Sequence, residues 1–344
     1  MAAKSYTNVL ICGGSGFIGS HFVRHLYFKY PDYKIFNLDF LTYAGNNDNL
    51  TDLENLGRYQ FIHGDICDGN LLAEIFGKHN FAVVVNFAAE THVDRSIWNS
   101  FAFIHTNING VHSLIDTCRT YKVPRFIQVS TDEVYGDIEE GFSTEEAPLC
   151  PSNPYSASKA AADLLVQSYM RTFKLPALIV RGSNNFGPFQ YPEKLIPLAI
   201  VSLIRAKKIP VHGSGEQVRN WLHVLDFCSA IDIVMHQGPD FSVFNVSDVS
   251  RKNIEVLGAV AKALNKDLDS CKLHTKDRPG GDQRYALDST KIRRELGWSP
   301  RYHFDDCIEG VVNWYLSNKE WWTKILSRKE VWDHYQKQFE AEYY

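Results

Sequence analysis

The chain has 344 residues, 44% of them hydrophobic and 22% charged, with a formal charge of −4 and a pI of about 6.4. This is the composition of a globular protein of one large or two moderate domains, which needs no disulfide or structural metal to fold; it excludes a disordered chain. The charge balance lacks the basic excess of a nucleic-acid binder, and no apolar run approaches the ~20 residues that span a bilayer.

Along the first half, short β-branched runs alternate with amphipathic stretches. Strands are predicted at 8–12, 34–38, 59–63, 82–87, 125–129 and 177–181, with helices at about 17–30, 69–78, 98–121 and 153–173. Strands separated by helices predict βαβ units and a parallel sheet covered on both faces. Beyond residue 182 the rhythm loosens, with prolines at 188, 192, 197, 210 and 279 and helices near 192–206, 224–236, 252–264 and 304–317. The expected organisation is a first unit over 1–182, a smaller mixed α/β lobe over 183–322 interwoven with it, and an aromatic-rich tail over 323–344. The aromatics from Trp321 and Trp322 through Trp332, Tyr335, Phe339 and Tyr343 predict a terminal helix docked on the body. Seven scattered cysteines with no C-x-x-C pair, and an N-terminus without a signal-peptide profile, predict reduced thiols, a cytoplasmic location and no metal site.

The first predicted strand runs into Gly13-Gly14-Ser15-Gly16-Phe17-Ile18-Gly19, a G-x-x-G-x-x-G turn that opens a helix. Such a turn lets backbone approach a pyrophosphate, which the free N–H groups and dipole of the helix N-terminus then bind. The second strand ends at Asp39, 20 residues after Gly19, where a carboxylate accepts a ribose 2′-hydroxyl and repels a 2′-phosphate. The pattern predicts a Rossmann-type doubly wound sheet holding NAD rather than NADP. Asp65 and Ile66 end the third strand, beside the adenine edge, although a turn-stabilising role for Asp65 fits equally. Ala88 and Ala89 supply small residues near the pyrophosphate and nicotinamide ribose.

Tyr155 and Lys159 stand four residues apart at the start of a helix, on one face. An ammonium beside a phenol lowers the tyrosine pKa and suits it to take a hydroxyl proton. Thr131-Asp132-Glu133 follows an apolar strand, where ligand sites of open α/β sheets lie. In a continuing strand the two acids would face opposite ways; a turn after Thr131 would bring both into one pocket, as acid and base. A solvated acidic turn is the plainer alternative.

With these motifs together, the sequence resembles the extended short-chain dehydrogenase/reductases and, within them, the nucleotide-sugar 4,6-dehydratases. The resemblance runs to about residue 322. Besides the glycine turn and Tyr155–Lys159, it rests on Leu-Thr-Tyr-Ala-Gly-Asn at 41–46, Asn-Phe-Ala-Ala-Glu-Thr-His-Val-Asp-Arg-Ser at 86–96 and Ser-Thr-Asp-Glu-Val-Tyr-Gly at 130–136. Ser-Asn-Asn-Phe-Gly-Pro at 183–188, Tyr-Pro-Glu-Lys-Leu-Ile-Pro at 191–197 and Asp-Arg-Pro-Gly at 277–280 extend it. The Thr-Asp-Glu triplet separates dehydratases from epimerases and decarboxylases with the same glycines and Tyr/Lys pair.

The resemblance implies that Tyr155, with Lys159 and Thr131, deprotonates a sugar 4-hydroxyl, that Glu133 removes the C5 proton and that Asp132 protonates the departing C6 hydroxyl. It adds Thr42 to the cofactor residues. It implies a nucleotide-sugar site of Asn184, Glu193, Lys194, Leu195, Arg219, Asn253 and Arg278, with Thr131 shared. A homodimer is implied through the helices near 98–121 and 153–173. The chain departs from the pattern at Cys12, Gly182, Asn220, Gly281 and Gln283. The last two stand where a His and an Arg are usual, and the absent His is a nucleotide contact. Beside the dTDP-hexose that the resemblance favours, UDP-glucose and UDP-N-acetylglucosamine therefore stay open, with a nucleotide-sugar 4-epimerase or a non-catalytic NAD-sensing protein as the remaining alternatives.

Overall fold

Why the first half becomes a sheet is visible in its strands, whose alternate residues feed two separate cores. The computed structural model describes residues 7–329 apart from 278, together with 331, 333, 334 and 337. Strands β1 (Asn8–Cys12), β2 (Lys34–Asp39), β3 (Tyr59–His63), β4 (Val83–Asn86), β5 (Phe126–Thr131) and β6 (Ala177–Gly182) form most of one parallel sheet. Val9, Ile11, Val83 and Val85 face one core with Phe22, Leu26, Phe227 and Ile231. Leu10, Cys12 and Val84 face the other with Leu114, Ile115 and Val166. Successive side chains of a strand point to opposite faces, so continuous apolar runs such as Val83-Val84-Val85 need helices on both sides. The expected doubly wound α/β sheet is what forms.

β7 (Asn184–Phe186), β8 (Ile209–His212) and β9 (Val218–His223) follow in the second half, then β10 (Val243–Val246), β11 (Val249–Lys252) and β12 (Lys272–Thr275). The large sheet has seven strands in the order β10-β6-β5-β4-β1-β2-β3. Its seventh strand therefore comes from beyond residue 182: β10 pairs in parallel with β6. The helix Val224–Gln237 also belongs to this body, packed against the helix Phe17–Lys29. A first unit ending at 182 omits both elements.

The remaining strands make a three-stranded sheet, β11-β9-β7, and a β12-β8 pair. They surround a third core that joins Phe186, Trp221, Val256, Leu257, Phe304 and Val312. The helix Lys319–Leu326 buries Trp322 and Ile325 in that core and sets Trp321 against Trp314 and Phe189. Trp332, Tyr335, Phe339 and Tyr343 lie outside the described residues. One predicted helix differs from expectation. Residues 98–121 resolve into Val93–Trp98, Phe101–Phe103, a π-helical segment Ile104–Gly110 and Val111–Thr120. Among the described residues, no helix is long and apolar enough to cross a membrane.

Candidate active site

The glycine turn leaves the carboxyl end of β1 and is shaped by close approach. Gly13 has φ +77, and a Cβ on it would lie 2.5 Å from the Ala88 amide nitrogen. A Cβ on Gly19 would lie 2.2 Å from the Gly13 carbonyl oxygen. Gly16 caps the helix Phe17–Lys29 without a side chain, so the first-turn amides face the cleft directly. This cradle of backbone donors at a helix N-terminus fits a pyrophosphate. Asp39 is buried and accepts the Ser15 and Leu41 amides at 2.9 and 2.8 Å. Burial nevertheless raises its pKa, those two bonds opposing. Gly13, Gly16, Phe17, Ile18, Gly19, Asp39, Thr42, Asp65, Ile66, Ala88 and Ala89 all line one cleft, together with Tyr155 and Lys159.

The acids enter the same cleft because β5 stops at Thr131 and a 3-10 turn, Asp132–Tyr135, begins. Thr131 Oγ1 accepts the Glu133 amide at 3.3 Å and donates to Asp132 Oδ1 at 3.1 Å. Asp132 is almost fully buried. Burial first, then the Glu133 carboxylate, pushes its pKa up to about 7.

Opposite them, the helix Pro154–Phe173 starts in a capping box. Ser156 N donates to Asn153 Oδ1 at 3.0 Å, and Asn153 N donates to Ser156 Oγ at 3.2 Å. Its first two turns carry Tyr155 and Lys159. Tyr155 shares a hydrogen bond with Thr131. Lys159 Nζ donates to the Val129 carbonyl at 2.8 Å, and burial lowers its pKa to about 8. The expected lowering of the tyrosine is absent. Burial, then Glu133, with Asp132 adding to them, raises Tyr155 well above the ordinary phenol range. Two nearby carboxylates oppose phenolate formation, and the hydrogen bond shared with Thr131 only partly offsets them.

A second cleft adjoins the first. The two share Thr91, Glu133, Asn184, Glu193, Lys194 and Leu195, while Arg219 and Asn253 line the second alone. Arg278 lies outside the described residues. Arg219 stacks over the Tyr285 ring at 4.1 Å and donates to the Val218 and Asp282 carbonyls, each at 2.7 Å. Part of its donor set is thus already committed, while its charge still lowers the Asp132 pKa. Lys194 Nζ donates to the Thr91 carbonyl at 2.8 Å. Tyr285 and Asp282 were given no role from sequence, yet both line this cleft, with Tyr285 Oη donating to Asp282 Oδ2 at 2.6 Å. Their signal was the Gly-Asp-Gln-Arg-Tyr run following Arg278, in which the arginine drew attention instead.

Two departures find local reasons. A Cβ on Gly182 would lie 2.5 Å from the Phe227 ring, which fills that space. Asn220 donates to the Asp248 carbonyl and Ser250 Oγ and accepts the Leu287 amide, so its amide ties β9 to two neighbouring segments.

Residues 10–311 match the family described as GDP-mannose 4,6 dehydratase. The chain is 42% identical to dTDP-glucose 4,6-dehydratase of Escherichia coli, covering 92% of this chain and 96% of that protein. It is 46% identical to the low-salt glycan biosynthesis protein Agl12 of Haloferax volcanii, covering 91% and 100%. The fold superposes with a TM-score of 0.90 on DesIV, a dTDP-glucose 4,6-dehydratase from Streptomyces venezuelae solved with NAD bound. That match has 42% identity and covers 92% of this chain and 99% of DesIV.

Proposed function

The chain belongs to the GDP-mannose 4,6-dehydratase family, and we propose that it is an NAD-dependent dTDP-glucose 4,6-dehydratase, a hydro-lyase forming dTDP-4-keto-6-deoxyglucose and water. One observation carries the reading: Asp132 and Glu133 share a cleft wall with Tyr155 and Lys159, and the buried Asp132 has a pKa of about 7. A carboxyl about half protonated at neutrality can donate a proton while its neighbour takes one.

Gly13, Gly16, Phe17, Ile18 and Gly19 would hold the NAD pyrophosphate and Asp39 its adenosine ribose, with Thr42, Asp65, Ile66, Ala88 and Ala89 completing the cofactor walls. When bound, NAD supplies a hydride acceptor for C4, a hydride donor for C6, and a positive ring that favours the phenolate. Tyr155 takes the 4-hydroxyl proton, helped by Thr131 and by the Lys159 ammonium. The ketone at C4 acidifies C5, and Glu133 removes that proton. Asp132 protonates the C6 hydroxyl, which leaves as water, and C5 is reprotonated at the end of the cycle. Asn184, Glu193, Lys194, Leu195, Arg219, Asn253 and Arg278 form the nucleotide-sugar site in this reading. The cofactor unit and the substrate lobe meet along the shared rim of the two clefts.

A homodimer through the helical stretches 93–120 and 154–173 is part of the proposal, supported by Phe101 and Leu164, which are 73% and 56% exposed there. So is a cytoplasmic location, which suits seven free cysteines. No nucleic-acid role is included, given the −4 charge.

The test is to incubate purified protein with dTDP-glucose, UDP-glucose and UDP-N-acetylglucosamine separately, without added NAD, and weigh the products. Loss of one water from dTDP-glucose is expected. An intact hydroxymethyl group after turnover excludes a 4,6-dehydratase, and water loss from a UDP-sugar alone reassigns the nucleotide.

A further inference from the structure

A single buried guanidinium lies behind the two elements that carry the proposed acids and base. Arg181, in β6, is paired in register with Ser130 of β5 and is 1% exposed. Its Nε donates to Asp163 Oδ2 at 2.8 Å. Asp163 is fully buried and stands one turn after Lys159 on the helix Pro154–Phe173. Nη1 of the same guanidinium donates to Tyr135 Oη at 2.6 Å. Tyr135 closes the 3-10 turn that carries Asp132 and Glu133. Tyr135 Oη in turn donates to Asn245 Oδ1 of β10 at 2.9 Å, so the phenol is satisfied as both acceptor and donor.

An apolar side chain would fill this place in the strand without the cost of taking a charge out of water. The guanidinium does something an apolar filling cannot. On the cleft side, the end of β5 and the helix meet through the hydrogen bond that Tyr155 shares with Thr131. Behind them, a planar fork with donors in fixed directions holds the helix through Asp163 and the turn through Tyr135. The two links bracket the reacting groups and set where Asp132 and Glu133 stand relative to Tyr155 and Lys159. Those groups act on neighbouring atoms of one hexose, and a misplacement of about 1 Å costs on the order of 10²-fold in rate.

We propose that Arg181 is a positioning residue of the dehydratase reaction, fixing the turn that bears the acids against the helix that bears the base. The proposal rests on the dehydratase reading for the steps it separates. Oxidation at C4 uses Tyr155 and Lys159, with Thr131 from the end of β5. Elimination also needs the turn placed over C5 and C6, so loosening the link slows elimination more than oxidation.

The experiment uses two full-length variants. Tyr135→Phe removes the arm to the turn and keeps the Arg181–Asp163 pair. Arg181→Lys keeps a cation beside Asp163 but cannot form the fork. Each is mixed with dTDP-glucose, and reduced nicotinamide is followed by its near-ultraviolet absorbance while water loss is followed by mass spectrometry. In both variants water loss in one turnover is expected to slow about tenfold or more, with reduced nicotinamide accumulating before it. Affinity for dTDP, measured by calorimetry, should stay within about twofold. The double variant should be no slower than the slower single one within about twofold, because both changes break one link. As a control, Trp298→Phe removes the bond from Trp298 Nε1 to Ser229 Oγ, and Trp298 lines neither cleft; it should lower stability to urea without that accumulation. Water loss within about twofold of wild type in Tyr135→Phe overturns the proposal, and this variant decides alone if Arg181→Lys fails to fold. Slowed water loss without accumulated reduced nicotinamide overturns it too, as do the same accumulation in Trp298→Phe and multiplied losses in the double variant. Failure of the dehydratase reading shows separately, as a wild-type protein that binds dTDP-glucose and releases no water from it.

Discussion

Replacing Asp132 by Asn should stabilise the protein at alkaline pH while greatly slowing turnover. The carboxyl has an ordinary pKa of 3.8 and is pushed up to about 7 in the fold, by burial and then by Glu133. A folded pKa raised above the unfolded one gives stability that is complete below the unfolded value and lost as pH rises through the folded value. A shift of about 3 units corresponds to about 4 kcal/mol, reached above pH 7. Asn is neutral throughout and carries no such loss. Between pH 5 and pH 8 the stability advantage of Asp132→Asn over wild type should therefore grow by about 3 kcal/mol. Urea unfolding at the two pH values measures it. Rapid-quench mass spectrometry on the same samples should show water loss in one turnover slowed by a factor of about 10² to 10⁴, the usual range for a lost general acid. An advantage that does not change with pH would refute the assignment of a buried, protonated Asp132, as would elimination that proceeds undiminished in the variant.

Other perturbations probe the neighbouring elements. Gly19→Ala drives a Cβ into the Gly13 carbonyl, so the purified variant should carry little or no NAD, measured by chromatography of the denatured protein. Asp163 supports the Lys159 charge; Asp163→Asn should bring Lys159 below its pKa of about 8 and move the alkaline fall of kcat to lower pH. Arg181→Met leaves Asp163 buried without the Nε partner it has at 2.8 Å, at a cost of about 3–5 kcal/mol in urea unfolding. Burial works against ionised Asp232, but His236, His25 and Lys29 hold its pKa below the ordinary value. Asp232→Ala should therefore destabilise at neutral pH, and the deficit should shrink as pH falls below about 4, where the unfolded wild-type carboxylate takes up a proton that the folded one still refuses.

Much of the cofactor half was legible because its signals are local. Gly13, Gly16 and Gly19 are spaced by the turn itself, and Asp39 follows from the length of one βα unit, so neither depends on distant sequence. The Thr131–Glu133 turn and the Tyr155/Lys159 face were readable for the same reason. What escaped depends on tertiary contact. β10 is only four residues long, and its identity as a sheet strand comes from pairing with β6. The raised Tyr155 pKa arises from burial and then from carboxylates more than 20 positions earlier, which no helical spacing reveals. Tyr285 and Asp282 join the second cleft through the stacking of Arg219 on the tyrosine ring, a contact between β9 and a distant loop. The break of the 98–121 helix into a π segment leaves no Pro or run of glycines to announce it.

The late arrival of β10 bears on how the protein can be made. Until residue 246 has emerged from the ribosome, β6 is an edge strand, buried along its whole length in the finished fold and apolar from Ala177 to Val180. An exposed apolar edge of that kind is a template for pairing with other chains. Translation at ~5–20 residues per second leaves it uncovered for several seconds. A fragment ended at residue 182 would keep that edge permanently, together with the sheet face that the helix Val224–Gln237 covers. Such a fragment should be recovered as aggregate.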